Sequence, residues 1–139
     1  MIETPRLCLQ AWQDADGEPF WTLERKVEQD FIGFCGILPP HSPTYEHEVG
    51  WRLARHAWGL GYAREAAEAS LTWSWTNLEV PSIMAMTNVA NMRSWGLMER
   101  LGMKRQPLED FNRPEVPEGD PLRPHILSRI HRPASDLSA

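Results

Sequence analysis

Along "RLCLQAW" (6–12), Leu7, Leu9 and Ala11 alternate with Arg6, Cys8, Gln10 and Trp12, the period-two pattern of a half-buried strand. A turn-forming cluster, "QDADGEP" (13–19), separates it from "FWTLERK" (20–26), which predicts a second strand. "FIGFCGIL" (31–38) predicts a third, with Gly33 and Gly36 permitting bends or close approach of a neighbouring backbone. "PPHSP" (39–43) breaks the chain, and "YEHEVGWRL" (45–53) predicts a fourth strand. Four strands with short links read as an antiparallel meander.

The period then changes. From Tyr62 to about Asn77, Ala63, Ala66, Ala67, Ser70, Leu71 and Ser74 recur at spacings of three and four, which predicts a helix. Most of these side chains are small, so the helix can lie close on a sheet. "SIMAMTNV" (82–89) predicts a fifth strand. "NMRSWGLMERLG" (91–102) predicts a second helix, with Asn91 as N-cap and Gly102 at its C-terminal end. "MKR" opens a sixth strand, Gln106 to Pro124 reads as an irregular proline-rich loop, "HILSRIHR" (125–132) as a last strand, and "PASDLSA" as a frayed tail. The order is β-β-β-β-α-β-α-β-β, about seven strands in one domain. Its parts are a meander (1–53), a middle half (54–103), C-terminal strands with the loop (104–132) and the tail (133–139).

Composition narrows the function classes. A length of 139 residues suits one domain with a real core. The net charge of −5 argues against a general nucleic-acid binder, and it suits either a cationic partner or plain solubility. Cys8 and Cys35 sit in apolar runs without C-x-x-C spacing and read as free buried thiols of a reducing cytosol. No apolar run approaches a membrane span, and the N-terminus lacks the pattern of a signal peptide, so the expected location is cytoplasmic. His41, His47, His56, His125 and His131 have no ligand spacing, and no metal is expected.

"RHAWGLGYAREAA" (55–67) carries the first chemistry. Gly59 and Gly61 stand where the fourth strand turns into the first helix, with Arg52, Arg55 and Arg64 nearby. A helix start offers unpaired N–H groups and a positive dipole end, and glycines let an anion approach them. The alternative is a glycine-rich turn that binds nothing. A Walker A loop is excluded because Tyr62 follows Gly61, and a dinucleotide fingerprint because Arg64 occupies the third glycine position.

This segment resembles the pyrophosphate loop, [QR]-x-x-G-x-[GA], of the GNAT superfamily of acyl-CoA-dependent N-acetyltransferases, with His56 at the Gln/Arg position. "NVANMRSWGLMERLGM" (88–103) resembles the family's N-x-x-[SA]…LG[FM] helix. "ETPRLCLQAW", "EVGWRLARHAWGLGYA" and "EDFNRPEVPEGDPLRPHIL" resemble the ribosomal-protein (Rim-like) branch, in order over nearly the whole chain. The resemblance implies an α+β fold with a mixed, mostly antiparallel central sheet. It also implies acetyl-CoA as co-substrate and an amine as acceptor. The coenzyme A contacts map to Trp51, Arg52, Leu53, His56, Trp58, Gly59, Leu60, Gly61, Tyr62, Ala63, Asn91 and Ser94.

Transfer by direct attack needs a base, an oxyanion site and a proton for the leaving thiolate. Glu48, which shares a strand face with Glu46, is the candidate base; a solvated or salt-bridged carboxylate is the alternative. Many family members carry a tyrosine acid on the second helix, where this chain has Met98. Ser94 is the substitute candidate, and it reads equally as a helix-start hydroxyl or a coenzyme A contact. The Rim-like branch also places two helices between its first two strands. Here "WQDADGEPF" runs directly into "WTLERK", which predicts a hairpin turning at Asp16-Gly17 in their place. Those helices wall the acceptor site, so their absence leaves two readings: an acetyltransferase whose wall comes from a homodimer partner, or a coenzyme A-binding module without catalysis.

Overall fold

Leu7, Leu9, Trp21, Leu23, Ile32, Cys35, Ile37 and Val49 are all buried, most of them completely, and they come from four successive strands. Each fully buried Leu or Ile contributes roughly 1.5–3 kcal/mol. The computed structural model describes residues 1–11, 20–41 and 44–134. The chain divides into two compact units, Met1–Val80 and Pro81–Ala139.

The first unit contains β1 (Ile2–Glu3), β2 (Leu7–Ala11), β3 (Phe20–Arg25), β4 (Phe31–His41) and β5 (Glu46–Leu53), each pairing antiparallel with the next. A 3₁₀ turn (Arg55–Ala57) then leads to helix α1 (Tyr62–Asn77). One cross-strand row runs Ala11, Trp21, Cys35, Trp51, and a second runs Leu9, Leu23, Gly33, Leu53. The meander is as predicted, and β2 pairs with β3. The expected Asp16-Gly17 turn lies outside the described residues, as do Trp12 and the last five residues of the tail.

β4 departs from expectation. It runs through Pro39 and Pro40 to His41 instead of ending at Leu38. The register shifts between Leu38 and His41, and a bulge is where strand prolines, which cannot donate to a ladder, are accommodated.

α1 packs on β2, β4 and β5. Its sheet-facing residues are small, and Ala66, Ala67, Ser70 and Ser74 are fully buried. The serine hydroxyls donate to the carbonyls of Ala66 and Ser70, at 2.8 and 2.9 Å, so burial leaves neither unsatisfied. Cys35 Sγ lies 3.3 Å from Ser70 Oγ, and burial pushes the thiol up to about 12. Trp21 meets the ring of Trp73 edge-on at 5.3 Å.

The second unit contains β6 (Ser82–Asn88), α2 (Met92–Arg100), β7 (Lys104–Arg105), a 3₁₀ turn (Pro107–Glu109), β8 (Phe111–Asn112) and β9 (Pro124–His131). β9 pairs antiparallel with β6, β7 and β8. α2 buries Leu97 and Met98, and its C-cap is Leu101. Gly102 follows at φ 86°, with Gly102 N–H bonded to Glu99 O and Met103 N–H to Met98 O. That pair of bonds is the Schellman arrangement, which needs a left-handed residue. Nine strands and two α-helices form among the described residues, an α+β composition as predicted. The two additional strands, β1 and β8, are two residues long, too short to show alternation.

Candidate functional site

β5, the turn after it and the start of α1 carry most of the predicted residues. Gly33 lets β4 and β5 approach at the end of this strand. A Cβ on Gly33 would lie 2.2 Å from the Arg52 carbonyl oxygen, and its φ is +151°. Beyond β5, the indole N–H of Trp58 donates to the carbonyl of Leu53 at 2.8 Å and closes the turn. Trp58 is thus a latch on the backbone; the residue is 44% exposed, and the Arg55 guanidinium lies 5.9 Å from its ring centre.

Gly59 and Gly61 have φ of 75° and 83°, both left-handed. Gly61 is the N-cap of α1, and no side chain caps the helix. The first intrahelical bond runs from Glu65 N–H to Gly61 O at 3.1 Å. The amides of Tyr62, Ala63 and Arg64 precede that bond and have no intrahelical partner. The two glycines are not equivalent. A Cβ on Gly59 meets nothing within 4 Å, whereas one on Gly61 would lie 3.2 Å from Arg6 Nη2. Space for an approaching anion therefore lies at Gly59, and the space at Gly61 is taken by a guanidinium.

Arg6 was not among the cations predicted at this loop. Of those that were, Arg64 pairs with Glu68 at 2.9 Å, Arg55 lies by the Trp58 ring, and Arg52 is exposed on β5. Arg6 reaches the loop from the start of the chain and bonds the Leu60 carbonyl through Nη1 at 2.8 Å. It also gives Glu65 two hydrogen bonds, from Nε at 2.7 Å and from its own backbone N–H at 2.8 Å. Thr4 Oγ1 donates to the same carboxylate. Burial pushes the Glu65 carboxyl up, and the bonds from Thr4 and Arg6 outweigh it and hold the group below the ordinary carboxylate range. Tyr62 is buried beneath the Arg6 guanidinium, 4.3 Å from ring centre to Cζ. His56 is exposed, with Nε2 3.6 Å from Asp30 Oδ2. Hydrogen bonds from Arg25 hold the Asp30 carboxyl below its usual value.

Glu48 lies on β5 opposite Leu38 and is buried at 9% exposure. Its Oε1 is 3.1 Å from His41 Nε2, while His41 Nδ1 lies 2.8 Å from the Pro39 carbonyl. A carbonyl only accepts, so Nδ1 donates to it, and a bond from Nε2 to the carboxylate, also an acceptor, requires the second ring proton. His41 is a partner that the alternation could not reveal, because "PPHSP" reads as a break and the strand continues to His41.

The second unit places Asn91 and Ser94 one turn apart at the start of α2. Asn91 Oδ1 accepts from the Ser94 backbone N–H at 3.3 Å, so Asn91 is the helix cap predicted for it. Met98, at the position of the tyrosine expected by resemblance, is 1% exposed and belongs to the core. Among the described residues no group of three His, Cys, Asp or Glu is placed to hold a metal, and no helix is long and apolar enough to cross a membrane.

Known proteins share this architecture. The uncharacterized protein YkkB of Bacillus subtilis (strain 168) is 32% identical over 100 residues, covering 70% of this chain and 58% of its own. The chain spans about half the length of the curated relatives it matches. The crystal structure of an acetyltransferase from Agrobacterium tumefaciens str. C58 superimposes with a TM-score of 0.72 at 24% identity, over 94% of this chain and 93% of that one. Spermidine N-acetyltransferase from Vibrio cholerae, solved with CoA and spermine, gives a TM-score of 0.70 at 19% identity, over 88% and 70% of the two chains. The sequence profile of the acetyltransferase (GNAT) domain matches residues 2–104, and the chain belongs to that family.

Proposed function

We propose that the chain transfers acetyl from acetyl-CoA to a primary amine, of a small molecule or a protein N-terminus, by direct attack. The observation that carries this reading is the start of α1. It has no side-chain cap, is entered through two left-handed glycines, and follows β5 across a single 3₁₀ turn. The amides of Tyr62, Ala63 and Arg64, with the open face at Gly59, suit a pyrophosphate. His56 and Leu60 flank that cradle, and the end of β5 (Trp51, Arg52, Leu53) is assigned to the pantetheine.

In the transfer, the amine nitrogen forms a bond to the thioester carbonyl carbon, and the carbon–sulfur bond then breaks. One proton must leave the amine and another must reach the thiolate. Glu48 is assigned the first, with His41 Nε2 3.1 Å from its carboxylate. Ser94 is assigned the second, and Asn91 a coenzyme A contact through its Nδ2, since Oδ1 is committed to the helix cap.

The acceptor side is read from the first unit. β2 and β3 pair with only residues 12–19 between them, too few for two helices of ordinary length, roughly 10–14 residues each. That spacing supports a Rim-like chain without its helical wall. On the face turned away from α1, Phe34 meets Phe20 at 5.9 Å and Phe31 at 5.2 Å, and Phe31 is 55% exposed. A second copy of the chain covering these rings would supply the wall, as a cytoplasmic homodimer. The acceptor reading includes polyamines, which the Vibrio cholerae relative binds and which a net charge of −5 suits.

Calorimetry with acetyl-CoA, followed by thiol release with amines, polyamines and N-terminal peptides, tests the proposal. Binding with amine-dependent release is expected. Binding without release would support the non-catalytic module, and no binding would overturn the reading. Sedimentation tests the dimer, with a monomer at all concentrations as the contrary result.

A further inference from the structure

Arg6 is distant in sequence from the loop it touches, and its guanidinium is held there through Nε, Nη1 and its plane. Nε bonds Glu65, Nη1 bonds the Leu60 carbonyl, Nη2 lies beside Gly61, and the guanidinium plane covers Tyr62. Glu65 is on the first turn of α1 and is itself fixed by Thr4 and by the Arg6 backbone. The side chain therefore joins the two halves of the loop-to-helix junction, one through a carbonyl and the other through a carboxylate.

The bond to Leu60 has a directional consequence. The peptide joining Leu60 to Gly61 is planar, and in the trans form its C=O and N–H point in opposite directions. Drawing the Leu60 carbonyl towards Arg6 aims the Gly61 N–H away from Arg6. On its C-terminal flank this peptide meets Gly61, left-handed and without a Cβ, so that flank does little to restrict its rotation. Without the tie, the peptide can turn its carbonyl towards the space where an anion would sit, and an acceptor oxygen there repels phosphate.

We propose that Arg6 is a positioning residue for the diphosphate of coenzyme A. It acts from behind the loop, orienting the Leu60–Gly61 peptide so that its N–H faces the ligand. The inference rests on the cradle reading above. It differs from a direct phosphate contact, because the bonds from Nε and Nη1 and the contact with the Tyr62 ring already hold the guanidinium against the loop. A lysine keeps the charge but has one nitrogen, which cannot serve both Glu65 and Leu60 while covering Tyr62.

Titration of the wild type, Arg6→Lys and Arg6→Met with acetyl-CoA by calorimetry tests this, with amide NMR spectra of each protein. In the wild type the Gly61 amide should shift strongly on addition of acetyl-CoA. In Arg6→Lys, affinity should fall about 10–100-fold and the Gly61 amide should start elsewhere and respond weakly, while amides of Leu9 and Ile32 keep their wild-type positions. A general loss of packing would move all of them. Arg6→Met should match or exceed the loss. Wild-type affinity in Arg6→Lys with an unchanged Gly61 amide would overturn the proposal alone. Failure of the wild type to bind acetyl-CoA would overturn the cradle reading and this inference with it.

Discussion

Replacing Gly33 by alanine places a methyl group 2.2 Å from the Arg52 carbonyl oxygen and 2.8 Å from the Leu53 Cα. Both are backbone atoms of β5, so no rotamer change relieves the clash; the strands must separate or bend. The φ of +151° adds a conformational cost of roughly 1–3 kcal/mol for a residue with a side chain. Forcing a methyl group into a filled site adds about 1–3 kcal/mol. The sum, roughly 2–6 kcal/mol, is a large part of a typical stability of about 5–15 kcal/mol. Gly50, on the neighbouring strand, is the matched control, since a Cβ there meets no atom within 4 Å. Gly50→Ala should be neutral or should stabilise by about 0.4–1 kcal/mol through the unfolded chain. Urea unfolding followed by circular dichroism and tryptophan fluorescence gives both numbers. A midpoint for Gly33→Ala within error of that for Gly50→Ala would refute the close-approach argument.

Five other substitutions test separate parts of the molecule. Gly61→Val pushes against Arg6 and strains a left-handed position, so acetyl-CoA binding should disappear in calorimetry, with a stability loss of about 1–3 kcal/mol. Glu65 is held below its unfolded value, so the stability it confers is present above the ordinary carboxylate range, about 4.3, and is lost as pH falls through the folded value. Urea midpoints should therefore fall less steeply with acidification in Glu65→Gln than in the wild type; parallel curves would contradict this. Glu48→Gln should lower kcat by roughly 10²–10⁴-fold with little change in KM for acetyl-CoA, and His41→Gln by a smaller factor, in steady-state assays. Met98→Ala should cost about 2–5 kcal/mol in chemical unfolding, because Met98 belongs to the core; a neutral result would refute that placement.

The strands with alternating Leu, Trp and Val were readable because one face of each is buried, and the run of small residues foretold a helix that lies close on a sheet. Pro39 and Pro40 misled because proline reads as a break until a bulge accommodates it. The cradle was legible for a local reason: Gly59, Gly61 and the helix they open are adjacent in the chain. Arg6 and His41 were not. Arg6, just ahead of β2, meets Leu60 only through the tertiary fold, and His41 meets Glu48 past the register shift of β4 on β5, neither with any periodic signal. Asn91 shows the opposite case, since its capping role followed from sequence alone and the structure bears it out.

The burial of Cys35 bears on how this chemistry can be measured. A thiol that is sealed under α1, bonded to Ser70 and pushed up to about 12 has almost no thiolate at neutral pH. A disulfide reagent that reports free coenzyme A should therefore pass over it. Cys8, half-buried on β2, is the one side chain of the protein left to react. A Cys8→Ser variant would give a chain nearly silent to such reagents, in which slow turnover could be followed at high enzyme concentration.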